Sequence, residues 1–367
     1  MSDASRRRSG RDSRHGAGLR HSADAPESDG TIAWDSTTLV TAEVEAGGEI
    51  GLGYTYCDKA AASVIEGVLA KALKDKDALA TAACRSAMNA SVRNAGRPGI
   101  ASCAVSAVDI ALWDLKAKLF GTPLATLLGP ARRTVPVYGS GGFTSYDDAR
   151  LKEQLGAWAA EGCAFVKMKI GREPKRDLKR AEAAKSVIGE ATLFVDANGA
   201  YDRKQALGFA EAFASLGVGW FEEPVSSDDL AGLRLLRDRS PGSMQIAAGE
   251  YGYTPYYFRA MLEAGAVDVL QADATRCGGI TGFLRAAALC DAFQIPLSSH
   301  CGPAIHVAPA SAAPRLIHME WFHDHVRIEH MLFDGAPLLQ NGSIAPNFSQ
   351  PGHGLALRAA DARKYEA

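Results

Sequence analysis

The chain has 367 residues, of which 47% are hydrophobic and 22% are charged, and its formal net charge is −2. This balance is typical of a globular enzyme and gives no indication of a nucleic acid or an anionic membrane as a partner. No apolar run approaches the length of a membrane span, and the seven cysteines form no CxxC pair. Scattered cysteines indicate reduced thiols, so we expect a cytoplasmic protein.

The beginning of the chain differs from the rest, because residues 1–27 are rich in Arg, Ser and Gly and contain almost no large apolar side chain. Such a segment cannot form a core, so we expect a disordered basic tail. β-Branched and aromatic residues dominate 31–56, where the AGG at 46–48 predicts a hairpin turn. Helical periodicity follows over 59–120. These patterns predict one α+β unit over 28–130.

Short apolar strands alternate with amphipathic helices from residue 131 onward. Alternating strands and helices predict a parallel sheet. Eight such strands suit a closed β/α barrel better than an open sheet, and we place this barrel over 131–335. The predicted strands are 134–139, 164–170, 192–196, 219–223, 245–250, 267–273, 295–300 and 317–321.

The second predicted strand, AFVKMKI, has Lys167 and Lys169 on one face. Helices cover the outside of such a barrel, so both lysines are expected to point into its interior. Burying an ammonium group costs several kcal/mol unless it is paired, which favours a functional role over surface lysines on a wrongly assigned strand. The like-charge neighbour should lower a lysine pKa from about 10.4 toward about 7–8, where a general base works at cellular pH.

Polar side chains also stand at the ends of the later strands. Any one of them has an ordinary explanation, such as a helix cap for Asp196 or a hydrogen-bonded core position for His300. Their recurrence at the end where β/α barrels keep active sites predicts one shared site. Three carboxylates converging there would repel each other and call for a hard cation, with Mg²⁺ as the leading candidate. The residues are Asp196, Glu222, Glu223, Glu250, Asp273, His300 and Glu320.

A proton-transfer pair is predicted from neighbouring strands, because Asp273 can accept the ring N–H of His300 and hold it as a base or an acid. The site then offers a divalent metal, one base on each face, and Glu320 facing the pocket. This set suits removal of the proton α to a carboxylate, with the metal stabilising the enediolate.

These residues resemble the enolase superfamily and, within it, the mandelate racemase subgroup. The resemblance covers residues from about 28 to the end of the chain. It implies an α+β capping domain over a (β/α)7β barrel, a segment 336–367 that returns toward the cap, and a homo-oligomer. The motifs that carry it are KMK at 167–169, DAN at 196–198, EEP at 222–224, GE at 249–250, QADATRCGGITG at 271–282 and SSH at 298–300.

The resemblance also implies a role for each site residue. The chain has no lysine between Lys204 and Lys364, so it lacks the far-face lysine of muconate lactonising enzymes and dipeptide epimerases. This favours the histidine branch. Glu223 is left out of the ligand set. The implied roles are Mg²⁺ ligands for Asp196, Glu222 and Glu250, base for Lys169 with Lys167 as its pKa partner, opposite-face dyad for His300 and Asp273, hydrogen-bonding acid for Glu320, and support for Asn198 and Arg276.

The capping domain of this family usually opens with an apolar strand, whereas the arginine-rich segment stands in that position here. The first strand is therefore either missing or unusual. Substrate choice in the family lies in the loops of the cap, here 26–37 and 54–58, and in those of the barrel. The candidate substrate contacts are Trp34, Tyr54, Tyr138, Ser140, His323 and His325.

These polar groups favour a polyhydroxylated acid over an aryl one, because a hydrogen-bonding site rejects analogues that lack the hydroxyls. For His323 and His325 a hydrogen-bonded surface loop is the alternative. We expect dehydration of an acid sugar to a 2-keto-3-deoxy acid. The alternatives are a racemase or epimerase of a 2-hydroxy acid and, more remotely, an inactive binding protein on the same fold.

Overall fold

A three-stranded antiparallel sheet opens the computed structural model, which describes residues 17–366. Strand β1 (Gly18–Ser28) pairs with β2 (Ala33–Ala46), which pairs with β3 (Glu49–Tyr56). The predicted tail is therefore wrong from residue 18 to residue 27, and its first 16 residues lie outside the described part of the chain. Buried Leu19 and His21 alternate with exposed neighbours. Hydrogen bonds to β2 and the burial of one face stabilise β1. Because its overall hydrophobicity is low, the sequence pattern did not predict a strand here.

The predicted hairpin turn joins β2 to β3. Gly47 and Gly48 have φ of 62° and 84°, as a type I′ turn requires at both central positions. The long helix of the cap packs closely on β3, because a Cβ on Gly53 would lie 2.1 Å from the carbonyl oxygen of Ala107. The helices of the cap are α1 (Ala60–Val64), a π-helical turn (Ile65–Leu69), α2 (Ala70–Leu73), α3 (Thr81–Ser91), α4 (Ile100–Leu119) and α5 (Leu124–Leu128).

Eight parallel strands form a closed barrel, because the last strand pairs in parallel with the first and sets Glu320 opposite Tyr138. The predicted fold, a (β/α)7β barrel with an α+β cap, is confirmed. The strands are β4 (Val135–Gly141), β5 (Phe165–Lys169), β6 (Thr192–Asp196), β7 (Val218–Glu222), β8 (Gln245–Ala248), β9 (Val269–Ala272), β10 (Leu297–Ser299) and β11 (Leu316–Phe322).

Seven helices connect the barrel strands, and one more follows the last strand. None of the helices in the described chain combines the length and the apolar composition that a membrane crossing needs. The helices are α6 (Asp148–Ala160), α7 (Pro174–Lys185), α8 (Arg203–Ser215), α9 (Leu230–Arg239), α10 (Pro255–Glu263), α11 (Gly279–Phe293), α12 (Pro303–Ala312) and α13 (His323–Leu332).

The C-terminal segment contacts both domains. The backbone N–H of His353 donates to Asp114 at 2.8 Å, and its Nε2 lies 2.7 Å from the carbonyl oxygen of Leu52, so this part of the segment is bonded to the cap. The remaining elements are β12 (Phe333–Asp334), which pairs with β14 (Ala356–Leu357), β13 (Ser343–Ile344), which pairs with β4, α14 (Ala359–Ala362) and a 3₁₀ turn (Arg363–Tyr365).

Buried hydrogen bonds hold the cap over the mouth of the barrel. The Tyr54 hydroxyl donates to Glu329 Oε1 at 2.7 Å, and the Thr55 hydroxyl donates to the carbonyl oxygen of Thr275 at 2.7 Å. The backbone of the cap at Gly30 also packs closely against the barrel, because a Cβ on Gly30 would lie 2.3 Å from the carbonyl oxygen of Ala197. The strand ends of the barrel are therefore covered by the cap.

The buried carboxyl of Glu329 should make stability depend on pH. Burial raises its pKa to about 8, from an ordinary value of 4.5. The folded state therefore keeps a proton that the unfolded state loses, and stability falls as pH rises between these two values. Between pH 6 and pH 7.5 the unfolding free energy should fall more steeply in the wild type than in Glu329→Gln, by on the order of 1 kcal/mol per pH unit.

Urea unfolding at a series of pH values measures this difference. Glu263→Gln, which removes an exposed carboxylate on α10, is the control and should keep the wild-type slope. Equal slopes for the wild type and Glu329→Gln would contradict the prediction.

Candidate active site

Two buried lysines on β5 are surrounded by carboxylates. Lys167 Nζ lies 2.7 Å from Glu222 Oε1, 2.8 Å from Glu320 Oε1 and 3.3 Å from Asp196 Oδ2. Lys169 Nζ lies 2.5 Å from the same oxygen of Asp196. The two lysines are 0% and 5% exposed. The strand thus has no wet face, and these pairings offset the cost of burying the charges.

Three carboxylates at the ends of neighbouring strands could hold a metal ion. Oxygen atoms of Asp196, Glu222 and Glu250 all lie within 4.8 Å of one another, and the three residues are buried. Oε2 of Glu250 is buried without a hydrogen-bond partner, which leaves a coordinating atom available. An all-oxygen donor set fits a hard divalent cation such as Mg²⁺. These are the residues that would hold the ion.

The charge state of the lysines differs from the prediction. Burial and the repulsion from Lys167 lower the pKa of Lys169, but the attraction of Asp196, Glu250 and Glu222 together raises it, and the net shift is upward. For Lys167, burial likewise lowers the pKa, and Glu222 and Glu320 raise it well above its ordinary range. The like-charge neighbour does lower the pKa of Lys169, as predicted, but the net shift is upward instead of toward 7–8, because carboxylates surround each ammonium group.

The predicted dyad is present at the ends of β9 and β10. His300 Nδ1 lies 2.9 Å from Asp273 Oδ2, and Thr275 donates its N–H and its hydroxyl to the other Asp273 oxygen, both at 2.7 Å. Nε2 of His300 lies 3.3 Å from Glu250 Oε2 and 3.3 Å from Cys301 Sγ. Burial lowers the pKa of His300, but Glu250 and the bond to Asp273 raise it, and the net shift is upward. With Nδ1 donating to Asp273, Nε2 is the nitrogen left to exchange a proton.

Glu320 on β11 is held by three donors. Its carboxylate accepts from the Ser140 hydroxyl at 2.6 Å and from the Cys301 N–H at 2.8 Å, and it pairs with Lys167. Burial raises the pKa of Glu320, but Lys167, His300 and Lys169 together lower it, and the net result lies well below the ordinary value. This differs from the hydrogen-bonding acid that the resemblance implies, because these donors stabilise the ionised form.

The two supporting residues lie beside the carboxylates. The backbone N–H of Asn198 donates to Asp196 Oδ1 at 2.9 Å, and its side-chain Oδ1 has no partner. Arg276 Nη1 lies 3.4 Å from Glu250 Oε1, and its Nε lies 3.6 Å from Asp273 Oδ2. Arg276 therefore links the carboxylate cluster to the dyad.

Two of the predicted substrate contacts pack against other side chains. Tyr54 is buried and stacks on Phe333, with 4.9 Å between ring centroids, and its hydroxyl donates to Glu329. Tyr138 lies inside the barrel, with its ring centroid 5.3 Å from Lys167 Nζ, so it supports that lysine from below. Both rings are fully buried, and contact of either hydroxyl with a substrate stays a prediction.

The remaining candidates lie on the cap side of the mouth. Trp34 Nε1 donates to Glu27 Oε2 at 2.8 Å. His323 Nε2 lies 3.2 Å from Asp24 Oδ2, as expected of a hydrogen-bonded surface residue. His325 is buried and stacked on Tyr56 at 3.4 Å between centroids, so its ring serves packing. Ser140, the last candidate, contacts Glu320 as described above.

Sequence reasoning missed an aromatic wall beside the dyad, defined by Phe143, Tyr146, Phe322 and Cys301, which pack together. The signal for Cys301 was its place directly after His300. Phe143 lies two residues after β4 and Phe322 is the last residue of β11, so both stand at strand ends, as the polar site residues do.

Family models match both domains. The model described as the mandelate racemase / muconate lactonizing enzyme N-terminal domain matches residues 23–129, and the enolase C-terminal domain-like model matches 150–362. The chain belongs to the mandelate racemase / muconate lactonizing enzyme family. The resemblance drawn from the strand-end motifs is therefore confirmed.

Curated relatives of this family match over most of the chain. A 3,6-anhydro-alpha-L-galactonate cycloisomerase from Streptomyces coelicolor is 34% identical over 328 residues, which is 87% of this chain and 89% of the relative. An arabinonate dehydratase from Saccharolobus solfataricus is 29% identical over 348 residues, 89% of this chain and 90% of the relative. The names of these relatives are those of sugar-acid enzymes.

Solved structures of the family also match. A mandelate racemase/muconate lactonizing enzyme-like protein from Rubrobacter xylanophilus is 53% identical, with a TM-score of 0.94 over 96% of this chain and 98% of that one. A racemase from Streptomyces coelicolor, solved with bound magnesium, is 32% identical, with a TM-score of 0.90 over the same shares of the two chains.

Replacing one carboxylate of the cluster should weaken Mg²⁺ binding. Glu250→Gln keeps the shape of the side chain but removes a negative charge, and we expect at least a tenfold loss of Mg²⁺ affinity in equilibrium dialysis. The control is Glu263→Gln, which alters an exposed acid on α10 and should bind as the wild type does. Unchanged binding by Glu250→Gln would remove this residue from the ligand set.

Proposed function

We propose that this protein is a Mg²⁺-dependent enzyme that removes the proton α to the carboxylate of an acid sugar and eliminates water to give a 2-keto-3-deoxy acid. The observation that carries this proposal is the position of two proton-transfer groups at the same carboxylate cluster. Lys169 contacts Asp196 at one side, and His300 lies 3.3 Å from Glu250 at the other. One group can take a proton while the other delivers one.

The first step is assigned to Lys169. Asp196, Glu222 and Glu250 would hold Mg²⁺, and the bound ion would supply positive charge that stabilises negative charge on the substrate and favours the neutral form of Lys169. Lys169 Nζ then accepts the α-proton. Its burial keeps water away from the transferred proton.

The second step is assigned to His300. Its protonated Nε2 delivers a proton to the β-hydroxyl, the C–O bond breaks, and water leaves. Asp273 holds the ring through Nδ1 and stabilises the imidazolium before the transfer. The enol that remains becomes the 2-keto-3-deoxy acid by tautomerisation. The proposal of Mg²⁺ as cofactor and of a sugar acid as substrate is supported by the relatives and by the structure with bound magnesium.

The second candidate is a racemase or epimerase of a 2-hydroxy acid. The same two groups could exchange protons from opposite faces without loss of water. The aromatic wall beside His300 favours this candidate, because Phe143 and Phe322 suit an apolar substituent better than a hydroxyl. The homo-oligomer and the cytoplasmic location stay predictions.

A product assay separates the candidates. Incubation of the wild type with Mg²⁺ and a library of acid sugars, their lactones and anhydro acids should release a 2-keto acid from at least one member, detected as a semicarbazone. Optical rotation is followed in parallel. A change of rotation without keto acid would assign the enzyme to the second candidate. If no member of the library gives keto acid or a change of optical rotation, the result would favour the inactive binding protein.

Single replacements of the two bases should separate the steps. Lys169→Ala and His300→Asn should each lower turnover by about 10²–10⁴-fold, the usual worth of a general acid or base. Each variant should still exchange the α-proton of one configuration with deuterium, observed by NMR, because the other base remains. Lys175→Ala, an exposed lysine on α7, is the control and should keep full turnover. Full activity in both base variants would refute the assignment.

A further inference from the structure

Three side chains that could bind a metal ion meet where the cap contacts the barrel. Asp24 and Glu27 lie on β1, His323 is the first residue of α13, and their ligand atoms all lie within 4.8 Å of one another. His323 Nε2 is 3.2 Å from Asp24 Oδ2. Two atoms bound to one tetrahedral zinc ion stand about 3.3 Å apart, because each bond is about 2.0–2.1 Å long. This pair therefore already has the separation that a shared ion requires.

Glu27 supplies an independent reason to expect an ion. It is 1% exposed, and its Oε2 accepts from Trp34 Nε1 at 2.8 Å. Its Oε1 is also buried, and no group in residues 17–366 donates a hydrogen bond to it. Such a buried oxygen is unfavourable, because it has lost its bonds to water and gained none from the protein. Oε1 is thus the oxygen that is free to coordinate an ion.

The nearby cationic groups leave Glu27 unpaired. Arg327 Nη2 forms an ion pair with Asp324 at 2.5 Å, and Arg150 Nη2 lies 3.2 Å from Asp24 Oδ2. Within residues 17–366, no Lys, Arg or His forms an ion pair with Glu27. The two acids of β1 thus share a single guanidinium group, which leaves a place for one more positive charge.

We propose that Asp24, Glu27 and His323 form a metal site that binds a divalent transition-metal ion of the Zn²⁺ class. One imidazole nitrogen with two carboxylates suits Zn²⁺, whereas the all-oxygen cluster in the barrel suits Mg²⁺. The side chains of Asp24 and His323 are 38% and 24% exposed, so an ion reaches them from solvent. The site lies outside the carboxylate cluster and the dyad, and it does not depend on the reaction that the enzyme catalyses.

An ion at this site would join the two domains. β1 is the first strand of the cap sheet, whereas His323 directly follows β11, the strand that closes the barrel and carries Glu320. Coordination from both sides would fix β1 against the end of β11. Because the ion binds the folded protein, it should raise the melting temperature.

Binding of the ion should release a proton. Burial raises the pKa of Glu27 to about 8, and the neighbouring acids act in the same direction. At neutral pH the metal-free carboxyl therefore keeps its proton, and an ion that binds Oε1 must displace it to solvent. The groups that act on Glu27 by their charge are Asp24, Asp324, Arg327 and Tyr146.

Isothermal titration calorimetry of the full chain with Zn²⁺ tests the site, in excess Mg²⁺ so that the carboxylate cluster of the barrel is filled. The wild type should bind Zn²⁺ with release of about one proton per ion, obtained from the heats in buffers of different ionisation enthalpy. Glu27→Gln keeps an acceptor for Trp34 but loses the charge, and this variant and His323→Ala should each bind Zn²⁺ at least tenfold more weakly. Asp35→Asn removes an exposed acid on β2 and, as the control, should bind as the wild type does.

Arg150 gives a test in the opposite direction. Its guanidinium group contacts the same Asp24 oxygen as His323 and competes with the ion for it. Arg150→Gln should therefore raise Zn²⁺ affinity at least threefold. The matched control is Arg176→Gln, which removes an exposed guanidinium group on α7 and should change the affinity less than twofold.

These measurements use no turnover, so their outcomes are independent of the proposed function. Absence of Zn²⁺ binding by the wild type in excess Mg²⁺ overturns the site, and so does unchanged affinity in both Glu27→Gln and His323→Ala, which would place the ion elsewhere. If Glu27→Gln fails to fold, His323→Ala and Arg150→Gln decide. Zn²⁺ should also raise the melting temperature of the wild type more than that of His323→Ala, and an equal rise in both would contradict the joining of the two domains.

Discussion

The buried pairing of Lys167 and Lys169 with carboxylates is the interaction on which the rest of the site depends. Each of these ions alone would be costly in the interior of the barrel, and together they satisfy one another. Removal of one partner would leave an uncompensated buried charge, which typically costs about 3–5 kcal/mol. The cluster therefore ties the stability of the strand ends to the chemistry that they perform.

Closure of the barrel completes this cluster. Pairing of β11 with β4 sets Glu320 near Lys167 and supplies the Ser140 hydroxyl to the same carboxylate. Without that closure, Lys167 would lose one of its three acidic neighbours. The cap then covers the strand ends, with Gly30 against the backbone of Ala197. Exclusion of water strengthens the electrostatic interactions inside and protects a transferred proton.

Much of the fold and of the site was predictable because the local sequence patterns agreed with the tertiary structure. The alternation of strands and helices predicted the barrel, and one polar residue at each strand end predicted which side chains converge. The pattern failed where partners outside the segment decide the outcome. β1 is too polar to be recognised alone and exists through its ladder to β2. The pKa of Lys169 was predicted from its neighbour in sequence, whereas burial and the carboxylates of Asp196, Glu222 and Glu250, which belong to other strands, set the net shift.

By itself, the sequence determined the order of the barrel elements, the inward face of the two lysines and the acid–base and carboxylate set, because these follow from period-two and strand-end patterns within single segments. Only the tertiary structure decided which polar side chains face the cavity. Tyr54 and Tyr138 are enclosed by packing, and Glu27, in a segment expected to be a tail, lies in a paired strand and contributes to the lining of a cavity between the cap and the barrel. The physical reason is that access to a pocket depends on which other elements cover a side chain, and no single segment of the chain contains that information.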